Sequence, residues 1–491
     1  MQKTRRRFIK ILTALLFLYL LLLIPDSEKR TVIKADDHPF VWNQDSLWQS
    51  LEVKFTLAKG KSKDSLDAEI TFLFLKENIL YNYIASNTIN ADDNALQQIL
   101  THYFNLAPLI AAHPTKRDSF VLLYNHIRNA VKLQSQQWNM NDKNIRNTLY
   151  KILYGMRAAA EEVLLQTDSM PFAAAINVKH EISVTPHTNI FGIQVHSGDL
   201  LVSRGGAEVS AMISRGNNYP GNFSHVALIY VEEKTNKPLL VEAHIERGVA
   251  VSSAEQYVKD KKLRFMVLRA RANLLQLKND PMLPHKAAKL AYEAAMSRHI
   301  PYDFKMNFYD SSSLFCSEVG SYAYKQKGIQ LWQAVSTISS QGVVNWLSAF
   351  GVENFVTQMP SDLEYDPQLS VVAEWRNPET LRKDHVDNAV MDVLLEQADK
   401  GKTITHNKWQ LPFVRMVKLW CIIKNKFGKP GIIPEGMSAT QALKNQSFVA
   451  MYNQLRNRTT FLSQQFIKEN NYQPPYWQMI ALAREAAGEK K

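Results

Sequence analysis

The sequence contains only two cysteines, Cys316 and Cys421, among its 491 residues. Secreted folds that depend on disulfides carry more cysteines, and a single bridge here would consume both thiols. Zinc-type cysteine spacings and the HExxH pattern are also absent from the sequence. A metal site formed by His196, His225 and His244 is one alternative, but the sequence shows no known metal-ligand spacing that supports such a site. We therefore predict free thiols, no metal and no cofactor.

Features of nucleic-acid-binding proteins are lacking too, since the sequence has no zinc finger, no helix-turn-helix signal and no aromatic ladder interleaved with arginine. The net charge is +12, but the basic residues are spread along the chain rather than gathered in one block. This excess favours anionic surroundings such as a lipid headgroup layer or an acidic wall polymer. Nucleic acid is not an expected partner.

The N-terminus is typical of a targeting segment, assigned to residues 1–35. Basic residues at positions 3, 5–7 and 10 precede an apolar run at 11–24. The run is short for a spanning helix and suits a signal peptide, but no small-residue cleavage site follows it. We favour an uncleaved membrane anchor that leaves the bulk of the chain outside the cytoplasm. A cleaved signal, a twin-arginine signal and a buried helix are the alternatives.

Length and hydrophobic spacing indicate two or three structural units after this segment. Residues 36–185 have helical spacing and no obvious chemistry, and residues 361–491 are predicted to be helical again. The region between them, 186–360, combines apolar runs of strand length with two helical segments, the second beginning near Cys316. The sequence therefore predicts an α+β domain with helical flanks. The strand-length runs are 199–202, 225–231, 239–243 and 263–268.

Cys316 follows a cluster of serines at 311–313, whose hydroxyls can cap a helix. The thiol then falls in the first turn, where free N–H groups and the positive end of the helix dipole favour a thiolate and can bind an oxyanion. We therefore expect Cys316 to be largely thiolate near neutral pH. The alternative is a small core residue, the commoner fate of a lone cysteine. Cys421 lies among bulky apolar residues and is predicted to be structural.

Two polar residues stand in neighbouring predicted strands. His225 opens one strand, on a face shared with Ala227 and Ile229, and Glu242 lies in the next strand on a face shared with His244. A buried carboxylate needs a partner, and a neighbouring imidazole would be oriented and stabilised by it. A core histidine and a solvated Glu242 are the alternatives, and His244 is a rival for the third position.

Five short motifs follow one another along the chain: GDLL at 198–201, SHVAL at 224–228, VEA at 241–243, PYDF at 301–304 and FCSE at 315–318. In this order they resemble the circularly permuted NlpC/P60 hydrolases of the YiiX/YebB-like group. The resemblance implies a permuted papain-like α+β fold with Cys316 as nucleophile, His225 as base and Glu242 as the third polar residue. Tyr302 matches a supporting position, and residues 362–376 resemble a tail found on some of these proteins.

The resemblance implies a cysteine hydrolase that works through a thioester, and it leaves three functions open. The first is a cell-envelope amidase or endopeptidase that acts on peptidoglycan peptides. The second is a lipid-directed thiol hydrolase or acyltransferase that acts on ester-linked or amide-linked acyl chains. The third is a non-catalytic envelope scaffold, against which the intact trio of Cys316, His225 and Glu242 argues. The expected partners are an envelope substrate and a membrane.

Overall fold

The computed structural model describes residues 2–26, 46–167, 172–178, 180–205, 208–259, 262–308, 310–332, 334, 336–427 and 431–489. The end of the predicted targeting segment, residues 27–35, lies outside these ranges. The described chain combines antiparallel sheets with many helices, and helical regions flank the main sheet on both sides in sequence. The predicted α+β class with helical flanks is confirmed.

The helices before the main sheet follow the predicted spacing. The described part of residues 36–185 is mostly helical, as the spacing predicts, and a π-helical stretch, Lys151–Gly155, interrupts one of the helical runs. Within the described ranges, no helix is long and apolar enough to cross a membrane. The helices are α1 (Gln2–Leu22), α2 (Ser46–Lys59), α3 (Lys63–Ser86), α4 (Asn94–Ala112), α5 (Arg117–Gln134), α6 (Lys143–Tyr150) and α7 (Met156–Gln166).

The main sheet is antiparallel and has seven strands in the order β1-β11-β8-β4-β5-β6-β7. The predicted runs 199–202, 225–231, 239–243 and 263–268 correspond to its central strands. Two short pairs, β2–β3 and β9–β10, lie apart from it. The strands are β1 (Ala175–Asn177), β2 (His187–Ile190), β3 (Ile193–His196), β4 (Leu200–Arg204), β5 (His225–Val231), β6 (Pro238–His244), β7 (Gly248–Ser253), β8 (Arg264–Ala270), β9 (Ser336–Thr337), β10 (Val356–Thr357) and β11 (Leu369–Arg376).

The helices within and after the sheet complete the chain. Two of them, α11 and α12, cover one face of the central strands. The last helices pack against one another and form a second hydrophobic core. They are α8 (Glu208–Arg215), α9 (Ala254–Lys259), α10 (Leu275–Asn279), α11 (Leu283–Ser297), α12 (Cys316–Lys325), α13 (Gln341–Ala349), α14 (Asp362–Tyr365), α15 (Pro378–Asp399), α16 (Leu411–Lys426), α17 (Ala439–Asn470) and α18 (Tyr476–Ala486).

Alternation along β5 divides its side chains between two cores. Val226 and Leu228 pack with α12 residues such as Val319, whereas Ala227 and Ile229 belong to the core on the opposite face. This is the period-two pattern of a strand that is covered on both sides. It fixes the register of β5 against β6, in which Ala227 lies opposite Glu242.

Buried ion pairs connect the N-terminal helices to the sheet. Arg264 of β8 lies 2.8 Å from Glu161 of α7, and Arg128 of α5 pairs with Glu374 of β11. All four side chains are almost fully buried. Because breaking one partner of such a pair leaves an uncompensated buried charge, these contacts hold the helical region to the sheet in one arrangement.

The sheet extends beyond the predicted catalytic limits of 186–360 at both ends. Strand β1 precedes residue 186, and β11 follows residue 360 and pairs with β8. Residues 361–491, predicted as a helical region, therefore also contain the strand β11. The reason is topological: β11 is the second strand from one edge of the sheet, and the chain reaches it only after α12 and α13, so its pairing with β8 has no local signal.

Candidate active site

Cys316 is the first residue of α12, as the sequence predicted for the first helical turn. The cap differs from the expected serine cluster, because the residue before the helix is Phe315 and its side chain makes no cap. Instead, the Phe315 N–H donates to Oε2 of Glu318 at 2.9 Å. A glutamate at the third helical position that reaches back to the cap is half of a capping box. Glu318 therefore fixes the start of the helix at the thiol.

The thiol lies against the backbone on both sides of His225. Sγ of Cys316 is 3.7 Å from the carbonyl oxygen of Ser224, to which the thiol donates, and the Val226 N–H donates toward the sulfur. Among the described residues, no hydrogen bond joins the thiol to the imidazole of His225. Catalytic contacts are often long or misaligned without substrate, so a resting structure that lacks this contact is compatible with His225 as the base.

The expectation of a resting thiolate is wrong for this arrangement. Burial raises the pKa of Cys316 to about 12, although the N–H groups of Ser317 and Val226 act in the opposite direction. Only 8% of the residue is exposed. Desolvation disfavours the charged form of any acid, and here it outweighs the start of the helix. The resting thiol is therefore neutral, and it must lose its proton during the reaction.

Glu242 and His225 form the closest polar contact of the site. Oε2 of Glu242 lies 2.7 Å from Nε2 of His225, and the carboxylate is fully buried between the strands. A carboxylate can only accept, so Nε2 carries the hydrogen and Nδ1 is left as the nitrogen that can accept a proton. The structure thus places the predicted base beside its predicted orienting group.

The charges of this pair follow from burial and from the hydrogen bond. Burial alone would raise the pKa of Glu242, but the combined interactions with His225 and His244 outweigh it and hold this pKa well below its usual range. Burial lowers the pKa of His225, and the hydrogen bond to Glu242 offsets only part of that effect. The pair is therefore a carboxylate beside a neutral imidazole at neutral pH, which is the state that a general base requires.

His244, the rival third residue, stands on the other side of Glu242. Its Nε2 is 3.2 Å from Oε1 of Glu242 and 3.1 Å from Nη2 of Arg247. Arginine only donates, so the His244 nitrogen that accepts from Arg247 does not at the same time donate to the carboxylate. The shorter contact identifies His225 as the principal partner of Glu242, with His244 as a neighbour.

Tyr302 lies beside the start of α12. It forms a parallel bridge with Leu314, two residues before Cys316, and its ring packs edge-on against Phe304. Burial raises the pKa of the Tyr302 hydroxyl well above its ordinary value, and the neighbouring Cys316 adds to the rise. The hydroxyl is therefore a neutral donor close to the thiol, consistent with a supporting position.

Glu318 is a site residue whose role the sequence reasoning missed. Burial raises its pKa to about 9, so the side chain is protonated at neutral pH and adds no negative charge beside the thiol. The signal was available, since Glu318 stands three residues after Phe315 at the start of a helix.

Within the described ranges, no cluster of three or more His, Cys, Asp or Glu side chains is arranged to hold a metal ion. His196 lies elsewhere, with Nδ1 3.1 Å from the Thr185 carbonyl oxygen.

Comparison with known families agrees with this geometry. Residues 194–373 match the family described as permuted papain-like amidase enzyme, YaeF/YiiX, C92 family. The matched segment contains Cys316, His225, Glu242 and Tyr302. It also includes most of β11, which the predicted boundary at 360 left out. Among curated proteins, none matches the chain.

The match confirms the predicted resemblance to YiiX-like permuted papain-like hydrolases, over somewhat more than a third of the chain. At a coarse level, the family assigns this segment to the amide hydrolases. The helical flanks lie largely outside the match, so the comparison says nothing of their role.

Proposed function

We propose that the protein is a cell-envelope cysteine amidase that cleaves an amide bond in a peptide of the peptidoglycan type. Cys316 acts as the nucleophile, His225 as the base and Glu242 as the orienting carboxylate. The observation that carries the proposal is the 2.7 Å contact between Glu242 and His225, with the thiol held against the backbone on either side of that histidine.

The reaction begins when the thiol turns toward Nδ1 of His225, which takes its proton as the sulfur attacks the amide carbonyl carbon. The negative oxygen of the tetrahedral intermediate is placed near the free N–H groups at the start of α12, including that of Ser317. The carbon–nitrogen bond then breaks, and the imidazolium returns its proton to the leaving amine. This leaves an acyl thioester on Cys316.

Hydrolysis of the thioester uses the same residues. Nδ1 of His225 takes a proton from water as the water oxygen attacks the thioester carbonyl, and the acid is released when the carbon–sulfur bond breaks and the thiol is reprotonated. Glu242 stays ionised throughout, and it stabilises the transient imidazolium. A neutral Cys316 thiol beside a neutral His225 imidazole at rest suits this order of steps, since each proton that His225 takes is returned within the site.

Location outside the cytoplasm is part of the proposal, and its support is the basic stretch followed by an apolar run at the N-terminus. Such a location would bring the site to peptidoglycan. A peptide substrate is favoured over a phospholipid because the matched family is described as an amidase.

The test is incubation of the purified full chain with muropeptides and, separately, with phospholipids, followed by mass analysis of the products. The expected result is release of peptide fragments that gain one water, lost in Cys316→Ala and kept in Cys421→Ser. The second variant is the matched control, because Cys421 is also a buried cysteine but lies on α16. Release of fatty acid with no peptide cleavage would overturn the amidase assignment.

A further inference from the structure

Helix α16 carries large apolar side chains on both of its sides. Leu411 and Cys421 are fully buried on the inner side, where Cys421 packs with Ile433 and Met437. Soluble proteins rarely leave several large apolar side chains exposed next to one another, but the outer side of α16 has no cover within the described chain. This outer side, called here the α16 face, consists of side chains that are 42–65% exposed: Phe413, Met416, Leu419, Trp420 and Ile423.

The N-terminal helix α1 packs beside α16 and extends this surface. The Tyr19 hydroxyl donates to the Trp409 carbonyl at 2.9 Å, and Arg415 donates to the carbonyl oxygens of Leu22 and Ile24 at the end of α1. An arginine on the last carbonyls of a helix satisfies groups that the helix leaves free. The apolar side chains of α1 are themselves largely exposed, so the two helices together present an apolar surface, which is a feature of interaction sites.

The charge around this surface is predominantly positive, although Asp26 pairs with Arg415 at 2.9 Å between the two helices and Glu435 follows the basic stretch. Between positions 400 and 434 the sequence has no aspartate or glutamate. Five further basic residues lie at the start of α1. Basic side chains that flank a helix rich in Trp, Phe and Leu are typical of helices that lie in a lipid interface. The eight basic residues of this stretch are Lys400, Lys402, Lys408, Arg415, Lys418, Lys424, Lys426 and Lys429.

We infer that the α16 face docks on an anionic lipid bilayer, with α16 lying in the plane of the headgroups beside α1. The charge pattern favours a bilayer over a second copy of the chain. A two-fold dimer would set the same basic stretches against each other, and like charges across an interface are unfavourable. Anionic headgroups would instead neutralise them.

The docking surface is linked to the candidate active site. Phe304 packs on the inner side of α16 together with Cys421 and Ile433, and it lies two residues from Tyr302 beside the thiol. His299 and Glu435 pair at 3.0 Å across the same junction. A bilayer on the α16 face would therefore hold the site at a short distance from the membrane surface. The docking surface is separate from the catalytic residues and does not depend on the proposed amidase activity.

The experiment places a reporter on the α16 face of the full chain. In a Cys316→Ala background, Met416→Cys is labelled with an environment-sensitive fluorophore and mixed with phosphatidylcholine vesicles, with or without phosphatidylglycerol. We expect a blue shift with the anionic vesicles, quenching by lipids that carry a spin label on the acyl chain, and a response that weakens as salt is added. Adding Trp420→Glu should weaken partitioning about tenfold or more, because a charge replaces an exposed aromatic side chain that the bilayer would otherwise bury.

Two controls separate α16 from other contacts. The background without Met416→Cys shows whether Cys421 takes up label, and a label at Phe461→Cys reports on an exposed aromatic position near the far end of α17. The label at position 461 should keep its aqueous emission. If the protein sediments with vesicles while the position-416 emission stays unchanged, α1 alone makes the contact and the inference fails. A shift without vesicles that grows with protein concentration would show a second copy on the face, and would also overturn it.

Discussion

Oε2 of Glu242 lies 2.7 Å from Nε2 of His225, across two antiparallel strands whose register sets Ala227 opposite Glu242. This contact decides which imidazole nitrogen carries the hydrogen, and so which nitrogen can serve as the base. It also explains how a carboxylate can be fully buried in the sheet, since a hydrogen bond to the charged form compensates for lost water. Because Glu242 orients His225 and does not itself exchange a proton, mutation can separate its role from those of Cys316 and His225.

The first prediction concerns Cys316 and His225 as a unit. Cys316→Ala and His225→Ala should each abolish nearly all turnover, and the double variant should be scarcely worse, because residues that act on one step are strongly non-additive. Turnover of a cleavable muropeptide by the purified full chain is the measurement. Wild-type turnover by a folded Cys316→Ala variant would end the thiol mechanism.

The orienting group should matter less than the pair it serves. Glu242→Gln should lower turnover about ten- to a thousand-fold, since it removes the charge that stabilises the imidazolium but keeps the shape of the side chain. His244→Ala should cost less, because its contact with Glu242 is longer and competes with Arg247. A larger loss for His244→Ala would transfer the orienting role to that residue. Circular dichroism must first show that both variants are folded, since Glu242 is fully buried.

The adjacency of His225 and Glu242 could be predicted because strand alternation is a local rule. Each residue stands on a definite face of its strand, and two strands joined by a short turn pair as neighbours. The place of Cys316 in the first turn of α12 was predicted for a similar reason. Such positions depend on a few residues of sequence, so a single chain is enough to find them.

The state of the thiol and the extent of the sheet could not be predicted in this way. The pKa of Cys316 depends on everything packed over it, and burial reverses the effect expected from the start of the helix. Strand β11 pairs with β8 across a gap of about a hundred residues, and that partnership has no local signature. Both errors arise where tertiary contacts override a local preference.

A stability prediction follows from Glu77, which is fully buried in α3, with its Oε1 atom 3.8 Å from Nδ1 of His102. Burial raises the pKa of Glu77 to about 9. The unfolded chain then ionises before the folded one, so folding loses free energy as pH rises from about 4.5 toward 9. Glu77→Gln should therefore increase the free energy of unfolding at pH 8 by about 1–3 kcal/mol and raise the melting temperature. At pH 4 it should have little effect on either quantity.

Glu69 offers a matched control for this experiment. It lies on the same helix, but it is partly exposed and pairs with Lys61 at the surface. Glu69→Gln should change the melting temperature little at either pH, because surface ion pairs contribute little. An equal gain from both substitutions would show that removing any acid from α3 stabilises the chain, and that burial of Glu77 is not the cause.

Export is tested by fusions at the C-terminus. If the basic stretch and apolar run at the N-terminus direct the chain out of the cytoplasm, a C-terminal alkaline phosphatase should be active and a fluorescent protein that folds only in the cytoplasm should stay dark. Replacing the basic residues at positions 5–7 with acidic ones should weaken both effects. A bright fluorescent fusion with an inactive phosphatase would remove the proposal of an envelope location.

The last prediction concerns the resting thiol. Because burial raises the pKa of Cys316 to about 12, only a small fraction is thiolate near neutral pH, and the thiolate is the form that iodoacetamide alkylates. Labelling of the native protein, followed by peptide mapping, should therefore be slow at pH 7 and should speed up about tenfold for each pH unit toward 10. Cys421, which is fully buried, should stay unlabelled until the protein is unfolded in urea, where both thiols should react alike.

Fast labelling of Cys316 that hardly changes between pH 6 and 8 would show a thiolate already formed at rest, and the neutral thiol–imidazole pair would have to be abandoned. Because no proton is then left for His225 to take from the sulfur, the same result would assign that histidine to the leaving amine and the water alone.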